Sequence, residues 1–251
     1  MMPDRPIRVV AVSYVNTYPF LHGLESDPVL RQSIDLRLEM PSECARLMLN
    51  GEANLGLIPV AVIPRMTGAH IVTDFCIGAD GRVDSVCLFS EVPLSEVTEI
   101  LLDFQSRTSV MLMRVLAERH FHIVPKWTDA DAGFIERIQG NTAGVVIGDR
   151  AFLLRERFPI VIDLAEEWKK LTGLPFVFAC WVSNGPLPAE FLERLNNALR
   201  YGVEHRQEAI LGRPMLDQEA MLDYVNNRIS YLLDERKLKA LQLFSDWAGK
   251  V

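Results

Sequence analysis

The apolar run Ile7-Arg8-Val9-Val10-Ala11-Val12 breaks off into the small polar stretch Ser13-Tyr14-Val15-Asn16-Thr17, and helical spacing follows at Phe20, Leu21 and Leu24. The pattern recurs far along the chain. There Glu99-Ile100-Leu101-Leu102-Asp103-Phe104 runs into Ser106-Arg107-Thr108-Ser109 and a helix predicted over 107–120. A strand that ends in hydroxyl-bearing residues and passes straight into a helix sets that helix N-terminus at the C-terminal edge of a sheet. Backbone N–H groups and hydroxyls gathered at such an edge suit a small anion, above all a carboxylate. Two such edges facing each other would make a cleft for a small acidic molecule.

Around these junctions strands and helices alternate. Ile34–Leu38 reads as a strand, Pro41-Ser42 opens a helix through Asn50 with Ser42 as its expected cap, and 53–59 reads as a third strand. That order predicts a parallel sheet with helices on its faces. Strands are expected at 71–76 and 85–89, with a turn at 78–81 between them. A second unit follows, with strand 99–104, helix 107–120, a strand near His122-Ile123-Val124, helix 130–138 and strand 143–148. Asp149 then opens a helical turn. Phe176–Val182 is a long apolar strand, and everything beyond Pro188 reads as helical. The predicted fold class is α/β, with two α/β lobes joined by two hinge strands. Residues 1–88 plus 183–251 would form lobe 1 and 92–178 lobe 2, with hinges near 89–91 and 179–182. A single large sheet is the competing arrangement.

A chain of 251 residues can bury two modest cores without covalent staples. Its net charge of -7 is unlike the basic stripe of a nucleic-acid binder. An acidic protein that takes an acidic ligand must build positive potential locally, from amides and a few arginines. No apolar run reaches the roughly 18 residues of a membrane span. Met-Met-Pro-Asp-Arg-Pro enters a strand without an apolar leader, so a cytoplasmic protein is expected, with neither nucleic acid nor membrane as partner. Cys44, Cys76, Cys87 and Cys180 lack metal-ligand spacing and read as reduced core residues. His120 and His122 lack companion ligands, so no metal site is expected. Trp168 and Trp181 read as packing residues.

Six blocks, in order from 9 to 181, resemble the chorismate dehydratase family of the futalosine route to menaquinone. Ser13-Tyr14-Val15-Asn16-Thr17-Tyr18-Pro19-Phe20 is similar to that family's opening block. Pro41-Ser42-Glu43 followed by Leu55-Gly56-Leu57-Ile58-Pro59-Val60 resembles its second. Val83-Asp84-Ser85-Val86-Cys87-Leu88-Phe89-Ser90 and Ser106-Arg107-Thr108-Ser109 resemble the next two. Ile147-Gly148-Asp149 and the stretch Thr172-Gly173-Leu174-Pro175-Phe176-Val177-Phe178-Ala179-Cys180-Trp181 resemble the last two. Val15 stands for the usual Leu, and Asp84 and Cys87 stand where small, basic or apolar residues are common. Dihydroxynaphthoate synthase, a sister enzyme of the same fold, opens on a different block that Ser13–Phe20 does not match.

The resemblance implies a type II periplasmic-binding-protein fold and a hydro-lyase that converts chorismate to 3-[(1-carboxyvinyl)oxy]benzoate and water. It implies no cofactor and no metal. It implies catalytic roles for Asn16 and Ser85, and substrate binding by Ser13, Ser42, Ser106, Arg107, Thr108, Ser109 and Asp149. No strong base lies in the matched blocks, and a carboxylate of the substrate itself is one candidate for taking the proton. The alternative reading is a cytoplasmic small-carboxylate-binding protein of the same fold without catalysis.

Overall fold

The structure is a computed structural model that describes residues 5–213 and 217–250. Strand β1 (Ile7–Val12) passes through a tight 3-10 turn, Val15–Thr17, into helices α1 (Tyr18–Ser26) and α2 (Pro28–Ser33). Next come β2 (Ile34–Glu39), α3 (Pro41–Leu49), β3 (Leu55–Pro59), β4 (His70–Ala79), β5 (Val86–Ser90), β6 (Glu99–Leu102) and α4 (Thr108–Leu116). A π turn, Ala117–Phe121, ends α4. The chain continues with β7 (Lys126–Asp129), β8 (Thr142–Ile147), α5 (Arg150–Leu154), β9 (Ile160–Asp163), α6 (Leu164–Thr172) and β10 (Phe176–Ser183). Then follow α7 (Ala189–Glu204), α8 (Arg206–Leu211), α9 (Gln218–Asp223), a second π turn at Tyr224–Arg228, β11 (Ser230–Leu232) and α10 (Glu235–Ala248).

Two compact units result. One holds the chain through Gly78 together with Val177–Asp234, and the other holds Ala79–Phe176 together with the chain from Glu235. The first unit is built on a mixed sheet in the order β11-β4-β10-β3-β1-β2. β1 runs parallel to β2 and to β3, while β10 runs antiparallel to β3. Every residue of β3, and all of β1 except Arg8, is buried. That explains their near-continuous apolar runs, since strands covered on both faces need no polar alternation. Phe20 of α1 packs edge-on against Trp181 at 6.0 Å, Phe75 at 6.2 Å and Tyr231 at 5.3 Å.

Helix α1 also lies on α7, and two glycines set how closely. A Cβ on Gly202 would fall 1.9 Å from the carbonyl oxygen of Pro19, and one on Gly23 would fall 1.9 Å from that of Ala198. The two helix backbones touch, so no side chain can yield. Gly202→Ala should therefore push α7 off the helix that follows Asn16, at a cost of about 1–3 kcal/mol. The readout is a lower urea midpoint at unchanged slope. A midpoint equal to wild type would contradict this crossing.

The second unit is built on a sheet in the order β7-β6-β8-β5-β9. β6 is parallel to β7 and β8, and β5 is antiparallel to β8 and β9. Phe89, Leu101, Phe134 and Val146 share one buried cluster on it. Helix α10 belongs here as well. Phe244 sits edge-on to Phe176 at 5.1 Å and to Trp168 at 6.1 Å, and Trp247 stacks its edge on Trp168 at 5.4 Å.

Several boundaries differ from those read in the sequence. The chain from Glu235 groups with the second unit rather than with 183–234, because the aromatic rings of α10 find Trp168 and Phe176 there. β5 lies inside the second sheet, paired on both edges, so the division between units falls at Gly78–Ala79 and not at 89–91. His122 is left-handed at the end of the π turn and Val124 is 98% exposed, so the strand expected at 122–124 lies instead at β7. Only a 3-10 turn, Phe134–Arg137, occupies the helix expected over 130–138. The segment beyond Pro188 is interrupted by β11. Trp168 and Trp181 are fully buried, and the four cysteines are free and buried, as expected. Burial pushes the Cys44 thiol up to about 12 and raises that of Cys87 too, so both stay protonated and inert at neutral pH.

Candidate functional site

In the first unit β1 and β2 end side by side, with Val12 opposite Glu39, and the Ser13 N–H donates to the Glu39 carbonyl at 3.0 Å. The chain leaves those two ends through the Val15–Thr17 turn and through α3. Ser13, Asn16 and Ser42 are thereby brought to one edge. Ser13 is exposed there, and Ser42 is half-buried. Ser42 is not the cap of its helix. Met40 occupies that position, its carbonyl taking the N–H groups of Glu43 and Cys44 at 2.9 Å each, because Pro41 starts the helix two residues earlier than a Ser42 cap would.

Asn16 is held from three directions. Its Nδ2 donates to Tyr224 Oη at 3.1 Å, its Oδ1 accepts from Thr17 Oγ1 at 3.3 Å, and its backbone carbonyl accepts from Tyr231 Oη at 3.0 Å. Asn16 is 9% exposed, and Tyr224 and Tyr231 are almost fully buried. Neither tyrosine was foreseen from the sequence.

The second unit gathers the other candidates. β6 and β8 run parallel with Leu102 opposite Val145, so their ends open into neighbouring turns at 103–107 and 148–149. β5 runs the other way with Val86 opposite Ile147, which puts its first residues at that same edge. The Gly148 N–H donates to the Ser85 carbonyl at 2.9 Å. Gly148 takes φ 71°, a left-handed conformation that lets β8 turn sharply into α5. Ser85, Ser106, Thr108 and Ser109 are all buried, whereas Arg107 is exposed. Ser106 Oγ accepts the Ser109 N–H at 3.1 Å, so one hydroxyl of the three is spent on starting α4. Arg107 folds back on its own turn, donating to the carbonyls of Ser106 at 2.8 Å and Phe104 at 3.3 Å. Asp149 precedes α5 without a side-chain cap bond. Ser85, expected alongside Asn16 in lobe 1, belongs to the same unit as Ser106–Ser109.

Two further carboxylates shape this edge. Asp103 has a fully buried side chain between the two turns. Its Oδ1 takes the Gln105 N–H at 3.0 Å, and its Oδ2 takes the Ile147 N–H at 3.0 Å and Arg150 Nη2 at 2.5 Å. It stands just before the Ser106 block, and its burial at the end of an apolar strand is the signal that could have marked it. Asp84 sits beside Ser85, where a bare negative charge would oppose an anion. Its carboxylate is instead paired with Arg155 at 2.6 Å and with Arg82. Asp163 holds this segment from below. It takes the N–H groups of Val83 and Asp84 on one oxygen and caps α6 with the other, and burial pushes its carboxyl above the usual range.

The edge of the second unit thus presents hydroxyls, a nine-residue helix N-terminus and neutralised acids, an arrangement that favours a carboxylate over a cation. Among the described residues no group of three or more His, Cys, Asp and Glu could hold a metal ion, and no helix is long and apolar enough to cross a membrane.

Residues 7–250 match the family model described as menaquinone biosynthesis. The chain is 29% identical to the chorismate dehydratase of Thermus thermophilus, over 98% of this chain and 96% of that protein. A crystal structure of an Archaeoglobus fulgidus protein superposes with a TM-score of 0.78 at 18% identity, covering 98% of this chain and 97% of the other. A Candida albicans gene product described as having the generic periplasmic binding protein structural fold superposes with a TM-score of 0.68 at 12% identity, covering 98% and 90%. The fold is therefore the periplasmic-binding-protein-like one that the motif blocks implied.

Proposed function

The chain belongs to the menaquinone biosynthesis family, and within it we propose that this protein is a chorismate dehydratase, a hydro-lyase that takes chorismate to 3-[(1-carboxyvinyl)oxy]benzoate and water. The observation that carries the reading is the match along nearly the whole chain to a relative of that name, with the Asn16 and Ser106 blocks each standing at a sheet edge. The chemistry asks little of a cofactor. The ring loses the proton on the carbon bearing the enolpyruvyl ether and the hydroxyl on the next carbon, and it becomes aromatic in doing so. The protein has to hold a dianion, assist the departing hydroxide and fix the geometry of proton removal.

In this reading Ser106, Thr108, Ser109 and Arg107 anchor a substrate carboxylate at the start of α4. Asn16 and Ser85 serve the reacting ring, and Ser13, Ser42 and Asp149 complete the binding groups. A carboxylate of the substrate takes the proton, in keeping with edges built of neutral hydrogen-bonding groups. Purified protein incubated with chorismate, without added metal or nucleotide, should give a product lighter by one water in the mass spectrum. Chorismate that persists unchanged, or activity abolished by a chelator, would overturn the reading. Binding without any change of mass would leave a carboxylate-binding protein instead.

Thr108→Ala should act mainly on binding. A lost neutral hydrogen bond weakens affinity by about 1 kcal/mol, and one to a carboxylate by about 1.5–3 kcal/mol. KM should rise accordingly with kcat nearly unchanged, as expected for an interaction present equally in ground and transition states. A collapse of kcat at constant KM would move Thr108 to the reacting centre.

A further inference from the structure

We propose that Tyr224 is a positioning residue for Asn16, holding the Asn16 amide where it meets the substrate; the inference rests on the dehydratase reading. The last side-chain torsion of an Asn is broad, so its amide swings unless hydrogen-bond partners hold it. Here Oδ1 is turned to Thr17 Oγ1 and Nδ2 gives one hydrogen to Tyr224 Oη. An Asn amide nitrogen carries two hydrogens, so a second donor remains for a departing oxygen. Tyr231 fixes the other coordinate by donating to the Asn16 carbonyl. Burial holds the Tyr231 phenol well above its ordinary pKa, so it stays a protonated donor at any working pH.

Packing alone does not account for a tyrosine at 224. The ring is 2% exposed, and a phenol hydroxyl buried that deeply is costly unless it is bonded. Phenylalanine would fill the same space without that cost. The two phenols also flank an unusual backbone. Tyr224 opens the π turn Tyr224–Arg228, the Ile229 N–H closes it on the Tyr224 carbonyl at 3.2 Å, and Arg206 Nε ties it to α8 through Asn226 Oδ1 at 2.8 Å. Such one-turn widenings recur at functional sites. Here the turn carries Tyr224 and the strand β11 just after it carries Tyr231, so two hydroxyls reach one residue from 208 and 215 positions away.

The test is a double-mutant cycle of Tyr224→Phe and Asn16→Ala, with kcat, KM and thermal midpoint measured for all four proteins. Tyr224→Phe should lower kcat about five- to tenfold with KM within about twofold and an almost unchanged midpoint. On the Asn16→Ala background it should cost nothing further. Wild-type kcat in Tyr224→Phe, or the same fold-loss on both backgrounds, would overturn the proposal. A second readout does not depend on turnover. The Asn16 side-chain amide resonances in an NMR spectrum should move on Tyr224→Phe, and their failure to move would also overturn it. If the wild type leaves chorismate unchanged, the dehydratase reading fails, while the amide spectrum still decides whether Tyr224 sets the orientation of Asn16.

Discussion

Asn16→Ala is expected to lower kcat about 10²- to 10³-fold, with a much smaller change in KM, the loss typical of a donor aimed at charge that develops only in the transition state. Hydroxide is a poor leaving group, and its oxygen gains negative charge as the bond breaks. A preorganised amide N–H in a buried setting stabilises that charge without having to reorient. Asn16 has the required preorganisation, with 9% exposure and hydrogen bonds at both ends of its amide. Alanine fits the Val15–Thr17 turn without strain, so the change removes the amide and little else. Tyr224 loses one partner, which sets an expected stability loss of about 1 kcal/mol. Steady-state kinetics beside a thermal melt separate the two effects. A variant with wild-type kcat would remove Asn16 from the mechanism, and a variant that loses affinity instead would make it a binding group.

How much of this could be read from sequence follows from where each residue finds its partners. The ends of β1 and β6 were legible because strand, hydroxyl and helix follow one another within a dozen or so residues. β1, β2, α3 and β3 came out close to expectation for the same reason. The strand at 126–129 was missed because Lys-Trp-Thr-Asp forms a half-exposed edge with no apolar run, while the apolar Val124 beside it is left in solvent. The assignment of α10 turned on Trp168 and Phe176, which no local pattern links to Phe244. The same limit applies to the site. Ser106–Ser109 announced itself, but Tyr224 and Tyr231 sit in a stretch that reads as plain helix, and their bonds to Asn16 span more than 200 residues.

Asp103 lies between these cases, and its removal should strongly destabilise the second unit. The carboxylate is fully buried and serves three donors, two of them backbone N–H groups, that of Gln105 in the turn after β6 and that of Ile147 at the end of β8. Asp103→Ala leaves both N–H groups and the Arg150 guanidinium without their acceptor. Breaking a buried pair by removing one partner costs about 3–5 kcal/mol. Arg150 is 30% exposed on its side chain and can recover some hydration, which places the expectation at about 3 kcal/mol. At roughly 2–4 °C per kcal/mol for a chain of this size, the thermal midpoint should fall by about 6–12 °C. Asp103→Asn keeps an acceptor for one turn but gives up the charge that holds Arg150, so it should fall between wild type and alanine. Because the same carboxylate ties the Ser106–Ser109 turn to the Gly148 turn, KM should rise in both variants in the order of their instability. An Asp103→Ala protein as stable as wild type would mean that the two turns are held by their strands alone. The carboxylate would then have to be explained by the ligand rather than by the fold.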